Sequence, residues 1–306
     1  MRVAMLFGPA GPERPEDWLK AAGTAADVVG IVSVPALSLP PVPGLPYAGR
    51  DPELPHRYEV VTGVGRHLTA RRIMALVRLE GAECGRLDVL HAHAPCTDVP
   101  VPWLARAARI PYVLSTGGPP LPGRLARRRA TRLHESAAAV LALPHPVDAE
   151  ELPPVPARAR IRQDPVRVAV TGGAEDWDAL VHAFAEAHAE DARLRLHVIG
   201  ELPGPRGRAA LLHDLAHADL FATARAWDLT ALDALCCGTP VVGADAPALV
   251  RAAAALPNHR PAALAAEARR RFGTAAVGAR LAAAYAEACA GAYADASASA
   301  SASGRA

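Results

Sequence analysis

The 306-residue chain has little of what charged or stacking interfaces need. Lys20 is its only lysine, so arginine supplies the remaining positive charge. Lys plus Arg number 33 against 31 for Asp plus Glu, a formal net charge of +2, and aromatic residues make up only 4%. A nucleic-acid-binding surface needs excess basic charge and often stacking rings. The composition therefore argues against a nucleic acid as partner.

Paired cysteines and long apolar runs are also missing. The five cysteines lie at positions 84, 96, 236, 237 and 289, without a Cys-x-x-Cys spacing, which favours reduced, buried thiols over disulfides or a zinc site. No stretch approaches the roughly 18 apolar residues of a membrane-spanning helix. The apolar run after Met1 stops at Gly8 and is too short for a signal peptide. We therefore expect a soluble cytoplasmic protein.

Short apolar segments instead alternate with longer amphipathic ones, and 51% of the residues are hydrophobic. Amphipathic periodicity predicts a helix from Trp177 onward. Strand–helix alternation along the whole chain predicts a doubly wound α/β architecture. The expected buried parallel strands are residues 3–7, 28–34, 89–91, 112–115, 138–142, 166–170, 194–199 and 240–242.

Proline-rich stretches mark loops and a division into two halves. Residues 36–55 are expected to form a surface loop, and an alanine-rich helix is expected over residues 261–288. The first strand of each half runs into glycines: Gly8 and Gly11 in one, Gly172 and Gly173 in the other. The predicted organisation is an N-terminal Rossmann-like domain over 1–149, a linker over 150–165, a second Rossmann-like domain over 166–290 and a disordered Ala-Ser tail over 291–306.

The segment 228–242 predicts a capped helix followed by a strand. Asp228 or Thr230 can cap a helix over 231–237, Gly238 can end it in the left-handed conformation, and Pro240 prevents its continuation. The free N–H groups at its start form a possible diphosphate site. A purely structural helix explains the same capping residues.

Three segments carry a family resemblance. Residues 87–93 read LDVLHAH, residues 143–148 read LPHPVD, and ADLF at 218–221 is followed by ALDALCCGTPVV at 231–242. In order and spacing they resemble the D-V-hydrophobic-H-x-H, P-N-G-V-D and ADLF…LLEAMACGTPVV motifs of GT-B glycosyltransferases of the group 1 (GT4-like) superfamily. The similarity spans nearly the whole chain.

The resemblance implies two Rossmann-like domains facing a cleft, the GT-B arrangement. It implies a nucleotide-diphosphate sugar on the C-terminal domain, an acceptor on the N-terminal domain, and transfer with retention of configuration. It also implies that neither a metal nor a further cofactor takes part. The sequence identifies neither the acceptor nor the oligomeric state.

The donor motifs are degenerate relative to that family. Of its two glutamates separated by seven residues, the ribose-binding one aligns with Asp233 and the sugar-binding one with Arg225. Its Arg and Lys clamp for the diphosphate is absent, because Gly172 and Gly173 stand after the strand and no lysine is available. Arg225 is a candidate replacement for that charge, although it also fits a surface arginine. Asp233 likewise fits a solvated helix residue. The predicted donor set is Gly172, Gly173, Arg225, Asp228, Thr230 and Asp233.

The acceptor side is defined by the ends of the N-terminal strands. A histidine that several family members carry near the donor phosphate is replaced by Gly117. His93 is expected to face the cleft and His91 to pack inside. An arginine-rich run over 124–132 predicts a solvated helix face; facing the cleft instead, it would favour an anionic acceptor or peripheral contact with an acidic membrane. The predicted acceptor and cleft set is Gly8, Gly11, His93 and Gly117.

Three functions are compatible with these observations. The first is an active glycosyltransferase that uses a nucleotide-diphosphate sugar. The second is a catalytically silent GT-B relative that acts as a binding or partner protein, which the degenerate donor motifs favour. The third, a sugar epimerase on the same fold, has no motif of its own here. The family normally has a further strand and helix between residues 200 and 218, and both are expected to be missing.

Overall fold

A computed structural model describes residues 1–7, 14–35, 57–63, 71, 73–75, 77–78, 85–93, 101–116, 124–156, 164–171, 177–199, 205–224 and 229–303. The chain forms two compact units: unit 1 comprises Met1–Pro146 and Thr274–Ala306, and unit 2 comprises Val147–Gly273. Its strands are β1 (Arg2–Phe7), β2 (Asp27–Pro35), β3 (Arg57–Gly63), β4 (Val89–His93), β5 (Tyr112–Ser115), β6 (Ala139–Leu141), β7 (Val166–Thr171), β8 (Leu194–Ile199), β9 (Leu220–Thr223) and β10 (Val241–Gly243). Its helices are α1 (Pro15–Gly23), α2 (Val101–Ala108), α3 (Arg124–Ser136), α4 (Trp177–Glu190), α5 (Pro205–His217), α6 (Leu229–Cys236), α7 (Ala246–Ala255), α8 (Pro261–Phe272) and α9 (Thr274–Ser303).

Unit 1 is built on a parallel sheet of six strands in the order β3-β2-β1-β4-β5-β6. β1 lies in the middle, with Val3 opposite Val28 of β2 on one side and Val89 of β4 on the other. Alternate β1 side chains face opposite cores because successive strand residues point to opposite faces. Ala4 and Leu6 belong to one core, and Val3, Met5 and Phe7 to the other.

Unit 2 has a parallel sheet of four strands in the order β10-β9-β7-β8. β7 is central and packs one face against α4 and α7 through Val168, Leu180 and Leu249. Its Ala169 belongs to the opposite core, with α5 and α6. Two parallel α/β units confirm the predicted Rossmann-like, doubly wound fold.

The long C-terminal helix α9 belongs to unit 1, which corrects the predicted domain boundaries. Val277, Leu281 and Tyr285 are fully buried in the core that also holds β1 and α1. The approach to α1 is close: a Cβ atom at Gly278 would overlap the backbone carbonyl of Ala21. Placing residues 274–290 in the C-terminal domain was wrong, because this apolar stripe covers the first sheet.

The predicted Ala-Ser tail and the predicted single helix over 261–288 also differ from the structure. α9 continues through the tail as far as Ser303. The expected single helix is divided at Gly273, whose backbone is extended. The Val147 N–H donates a hydrogen bond of 2.8 Å to the Phe272 carbonyl, and Val147 and Gly273 form an isolated parallel bridge. The break between α8 and α9 depends on this long-range backbone pairing. Helix propensity, which is a local property, therefore does not predict it.

Most of the predicted strands are present within one or two residues. β3 and β9 were not predicted as strands. Helix α5 occupies part of the segment predicted to be shortened; in the described residues 194–199 and 205–224, no strand separates β8 from β9. Gly238 has the expected left-handed backbone (φ +86°) after α6.

Candidate functional site

Each sheet has one place where its strand order reverses. In unit 1 this switch point lies between β1 and β4, and in unit 2 it lies between β7 and β9. Crossover connections leave these neighbouring strands in opposite directions and open a crevice at their carboxyl ends, where α/β proteins bind ligands. β1 ends at Phe7 and β4 at His93; β7 ends at Thr171 and β9 at Thr223.

A cluster of aromatic and histidine rings fills the carboxyl edge of unit 1 at its switch point. His93 is stacked on Phe7, with ring centroids 4.8 Å apart. It also lies 4.4 Å from the Trp18 ring and 4.4 Å from the His91 ring. We call the five residues Phe7, Trp18, His91, His93 and His145 the histidine cluster.

Both ring nitrogens of His91 have a hydrogen-bond partner. Its Nδ1 lies 2.7 Å from the Tyr285 hydroxyl and its Nε2 lies 2.7 Å from Ser115 Oγ. Burial lowers the pKa of His91 to about 3 and raises that of the Tyr285 hydroxyl. A neutral imidazole donates through one nitrogen and accepts through the other, and either hydroxyl can play the complementary role. His91 therefore packs inside, as predicted, and ties α9 to the first sheet.

His93 differs from His91 in the hydrogen bonding of its ring. It is only 3% exposed, and its Nε2 has no hydrogen-bond partner among the described residues. The Nε1 of neighbouring Trp18 is likewise buried and unpartnered in the described part of the chain. The pKa of His93 is lowered well below 6.5, chiefly by burial and further by His91 and His145. A buried polar atom without a partner costs about 1–3 kcal/mol, so neither nitrogen is placed there for folding stability.

An ionic group borders the histidine cluster. His145 Nδ1–H donates to the Pro146 carbonyl at 2.7 Å, and the same nitrogen lies 3.9 Å from Asp17 Oδ2. Arg14 Nε lies 3.3 Å from the same Asp17 oxygen. Asp17 is 4% exposed and carries one negative charge beside one arginine.

Three charged side chains of unit 2, Arg208, Asp233 and Glu151, form an ionic network. Arg208 on α5 donates to both carboxylate oxygens of Asp233 on α6, at 3.0 and 3.4 Å. Its Nε donates to Glu151 at 2.6 Å. Asp233 is 2% exposed. Asp233 is therefore a buried, ion-paired residue rather than a solvated one.

The other described residues of the α6 segment are structural. Thr230 is buried inside α6, which begins at Leu229, so the prediction that Thr230 caps the helix was wrong. The Cys237 thiol has its pKa raised to about 12, first by burial and then by Asp233. It stays protonated at neutral pH and is a poor nucleophile. The neighbouring helix α7 is capped by Asp245, which accepts from the Ala248 N–H at 2.8 Å.

Of the predicted site residues, the structure places His93 in unit 1 and Thr230 and Asp233 in unit 2. Gly8, Gly11, Gly117, Gly172, Gly173, Arg225 and Asp228 lie outside the described residues. The arginine-rich helix α3 presents Arg128 and Arg132 to solvent, as expected for a solvated face.

Sequence reasoning missed Trp18, His145 and Arg208. His145 had a usable signal, because it replaces the asparagine of the P-N-G-V-D motif. Arg208 had none, because only the packing of α5 on α6 brings it to Asp233. Within the described ranges, no group of three or more His, Cys, Asp or Glu side chains is placed to hold a metal ion. No helix in those ranges is long and apolar enough to cross a membrane.

Sequence comparisons find no relative: no family model matches the chain, and no curated protein does. Solved structures do match. A glycosyltransferase from Rickettsia africae superposes with a TM-score of 0.61 at 10% identity, over 94% of this chain and 98% of its own. Sucrose-phosphate synthase from Thermosynechococcus elongatus gives 0.59 at 12%, over 95% and 100%. HepE from Anabaena, solved with UDP and glucose, gives 0.59 at 13%, over 92% and 98%. The chain therefore has the two-unit α/β fold of GT-B glycosyltransferases.

Proposed function

We propose that the protein is a glycosyltransferase that moves a sugar from a nucleotide-diphosphate donor to an acceptor. The observation that carries the proposal is the fold, which matches glycosyltransferases over more than nine-tenths of the chain, one of them solved with UDP and glucose. The motif resemblance also supports it, since ADLF leads into β9 and CCGTPVV runs from the end of α6 into β10.

In this proposal unit 2 holds the donor. Departure of the diphosphate leaves negative charge, which the backbone N–H groups at the start of α6 and the candidate Arg225 would stabilise. Asp233 would accept hydrogen bonds from the ribose hydroxyls. A carboxylate has about four lone-pair sites, so Asp233 can keep Arg208 and still accept a hydroxyl. Arg208 would then fix the orientation of Asp233.

Unit 1 holds the acceptor in the same proposal, at the β1/β4 switch point beside His93. The acceptor oxygen bonds to the anomeric carbon of the sugar as the bond from that carbon to the diphosphate oxygen breaks. The proton of the acceptor hydroxyl leaves to a base. Transfer proceeds with retention and without a metal, as the family resemblance implies.

A silent GT-B relative that only binds a ligand is the second candidate. One observation favours it: the charge of Arg208 is offset by both Asp233 and Glu151. Among these three described side chains, no excess positive charge is therefore left to attract a diphosphate.

Calorimetry with UDP, GDP, ADP and dTDP separates the two candidates. We expect one nucleotide to bind the wild type, with affinity reduced about tenfold in Asp233→Asn, which loses charge but little volume, and in Arg225→Ala. Arg270→Ala is the matched control, because Arg270 is an exposed arginine on α8 of the same unit. Binding of none of the four nucleotides by the folded wild type would favour the silent relative.

A further inference from the structure

We propose that a groove on unit 1 binds a second copy of this chain, with Trp103 of each copy entering the groove of the other. The groove lies where β5 and β6 begin, between the ends of α2 and α3 and the side of α9, and has a volume of about 780 Å³. This is the edge of the sheet opposite the switch point. The inference concerns assembly alone and does not depend on the proposed glycosyl transfer.

The buried part of the groove is apolar. The buried residues among its described lining are Ala105, Ile110, Tyr112 and Ala288. The Tyr112 hydroxyl donates to the Leu133 carbonyl at 2.6 Å and also lies 2.6 Å from Ser136 Oγ. Because this hydroxyl is already engaged, the buried lining is better suited to an apolar side chain than to a polar ligand.

Four exposed charged side chains also line the groove, two of each sign. Arg106 and Arg109 lie at the end of α2, Glu135 near the end of α3, and Glu287 on α9. None of the four forms an ion pair with another described residue. In a two-fold symmetric contact, residue i of one copy meets residue j of the other, and j meets i. The arginines of each copy can therefore pair with the glutamates of the other.

The backbone of Arg109 supports a contact at this place. Its φ is +55°, and it is the one non-glycine residue with a positive φ in the described ranges. The N–H groups of Arg109 and Ile110 donate to the Arg106 and Ala105 carbonyls at 3.2 and 3.0 Å, a helix-ending pattern in which glycine usually occupies the left-handed position. A side chain there costs about 1 kcal/mol. The guanidinium has no described hydrogen bond within its own chain, so a carboxylate of the second copy would supply the compensation.

Trp103 supplies the apolar side chain that enters the groove. It is 49% exposed and is the largest of the exposed apolar side chains in the described part of the chain. It lies on α2 one turn before Arg106, next to the groove but not among its described lining residues. An indole in this position can reach the groove of a symmetry-related copy. Trp, Tyr and Arg are the residue types that contribute most to the affinity of protein interfaces.

Sedimentation velocity of the full-length protein at about 1 to 100 μM tests the proposal, with a dimer expected at a Kd of about micromolar. The double variants Arg106→Glu/Arg109→Glu and Glu135→Arg/Glu287→Arg should each be monomeric, because like charges then face each other. An equimolar mixture of the two should recover the dimer, because every reversed charge meets a reversed partner. Arg270→Glu, which reverses an exposed arginine of unit 2, is the matched control and should dimerise as wild type does.

Trp103→Ala tests the apolar contact with all four charges in place, and it should weaken the dimer at least about tenfold. Val198→Ala truncates a side chain that is 51% exposed on unit 2 and should leave the dimer unchanged. Circular dichroism checks that each variant is folded. A wild type that stays monomeric up to the highest concentration overturns the proposal. So does a charge-reversed variant that dimerises as tightly as wild type, a mixture of the two folded variants that stays monomeric, or an undiminished dimer in Trp103→Ala.

Discussion

The two units differ in whether the buried polar side chains near their switch points have described partners. In unit 2, Asp233 is ion-paired by Arg208, which also binds Glu151. In unit 1, His93 and Trp18 each keep a buried nitrogen without a described partner. Asp233 is thus a charged group with a charged partner, whereas His93 and Trp18 are buried side chains that each have a nitrogen without a described partner.

This difference separates residues that hold the fold from residues available to a ligand. A buried charge pair is expensive to disrupt because the remaining charge is stranded. An unpartnered buried nitrogen already costs free energy, so its removal costs little. Folding stability should therefore respond strongly to substitution in unit 2 and weakly at His93, whereas ligand binding should respond at both.

The largest expected effect is acid destabilisation through His91 and His93. Burial in the folded state lowers the pKa of both side chains below the ordinary value of 6.5, and that of His91 to about 3. The unfolded chain therefore binds protons that the folded chain does not as pH falls below 6.5. His91 should lower the free energy of unfolding by about 1.4 kcal/mol per pH unit between pH 6 and 4, and His93 should make the slope steeper. Urea denaturation across this range measures the slope.

Two variants sharpen this measurement. His93→Phe removes one of the two titrating groups and should make the slope shallower. His182→Gln replaces an exposed histidine on α4 and should leave the slope unchanged. An equal effect of both variants would contradict burial as the cause.

The next largest effect should come from breaking the unit 2 ion pair. Arg208→Met strands the Asp233 carboxylate, which is 2% exposed, and should lower the free energy of unfolding by about 3 kcal/mol. The double variant Arg208→Met/Asp233→Leu should recover most of that loss, because it buries no charge. Arg270→Met, which breaks the exposed pair with Glu267, should cost less than about 1 kcal/mol. Equal losses in Arg208→Met and Arg270→Met would show that Asp233 does not need its partner.

A smaller effect is expected where α9 crosses α1. Gly278→Ala should destabilise by about 2 kcal/mol, because the added methyl group meets the Ala21 carbonyl and Thr24 Oγ1. Gly291→Ala on the same helix meets nothing within 4 Å and should stabilise by about 0.5 kcal/mol through helix propensity. Thermal denaturation compares the two, and a stabilising Gly278→Ala would refute the close crossing.

The smallest effect on folding should come from His93 itself. At pH 8, where histidine is neutral in both states, His93→Phe should change the free energy of unfolding by less than about 1 kcal/mol. The matched variant His91→Phe breaks contacts with Tyr285 and Ser115 and should cost more. A large loss for His93→Phe would mean that its nitrogen is satisfied after all.

The sequence was informative wherever a local pattern decides the structure. Apolar runs located eight of the ten strands, and Gly238 ended α6 as its lack of a side chain predicts. It failed where distant contacts decide. The break at Gly273 depends on pairing with Val147, and the placement of α9 depends on the fit of Gly278 and Tyr285 against α1 and β4.

The candidate sites show the same division. His93 was predicted from its position at the end of a strand. Its neighbour Trp18 was not predicted, because Trp18 lies far from His93 in the sequence and reaches the cluster only through the packing of α1. Similarly, Asp233 was identified from a motif, whereas Arg208 reaches it only through helix packing.

The most direct test is whether sugar transfer depends on His93 while nucleotide binding does not. UDP-, GDP-, ADP- and dTDP-glucose are incubated with the protein and a panel of sugars and polyols as acceptors, and mass spectrometry quantifies the free nucleoside diphosphate and the glycosylated acceptor. We predict that one donor gives both products in equal amounts, and that His93→Phe lowers the rate at least about tenfold with unchanged nucleotide affinity. A donor that binds yet yields neither product, or an equal rate in His93→Phe, would contradict the account.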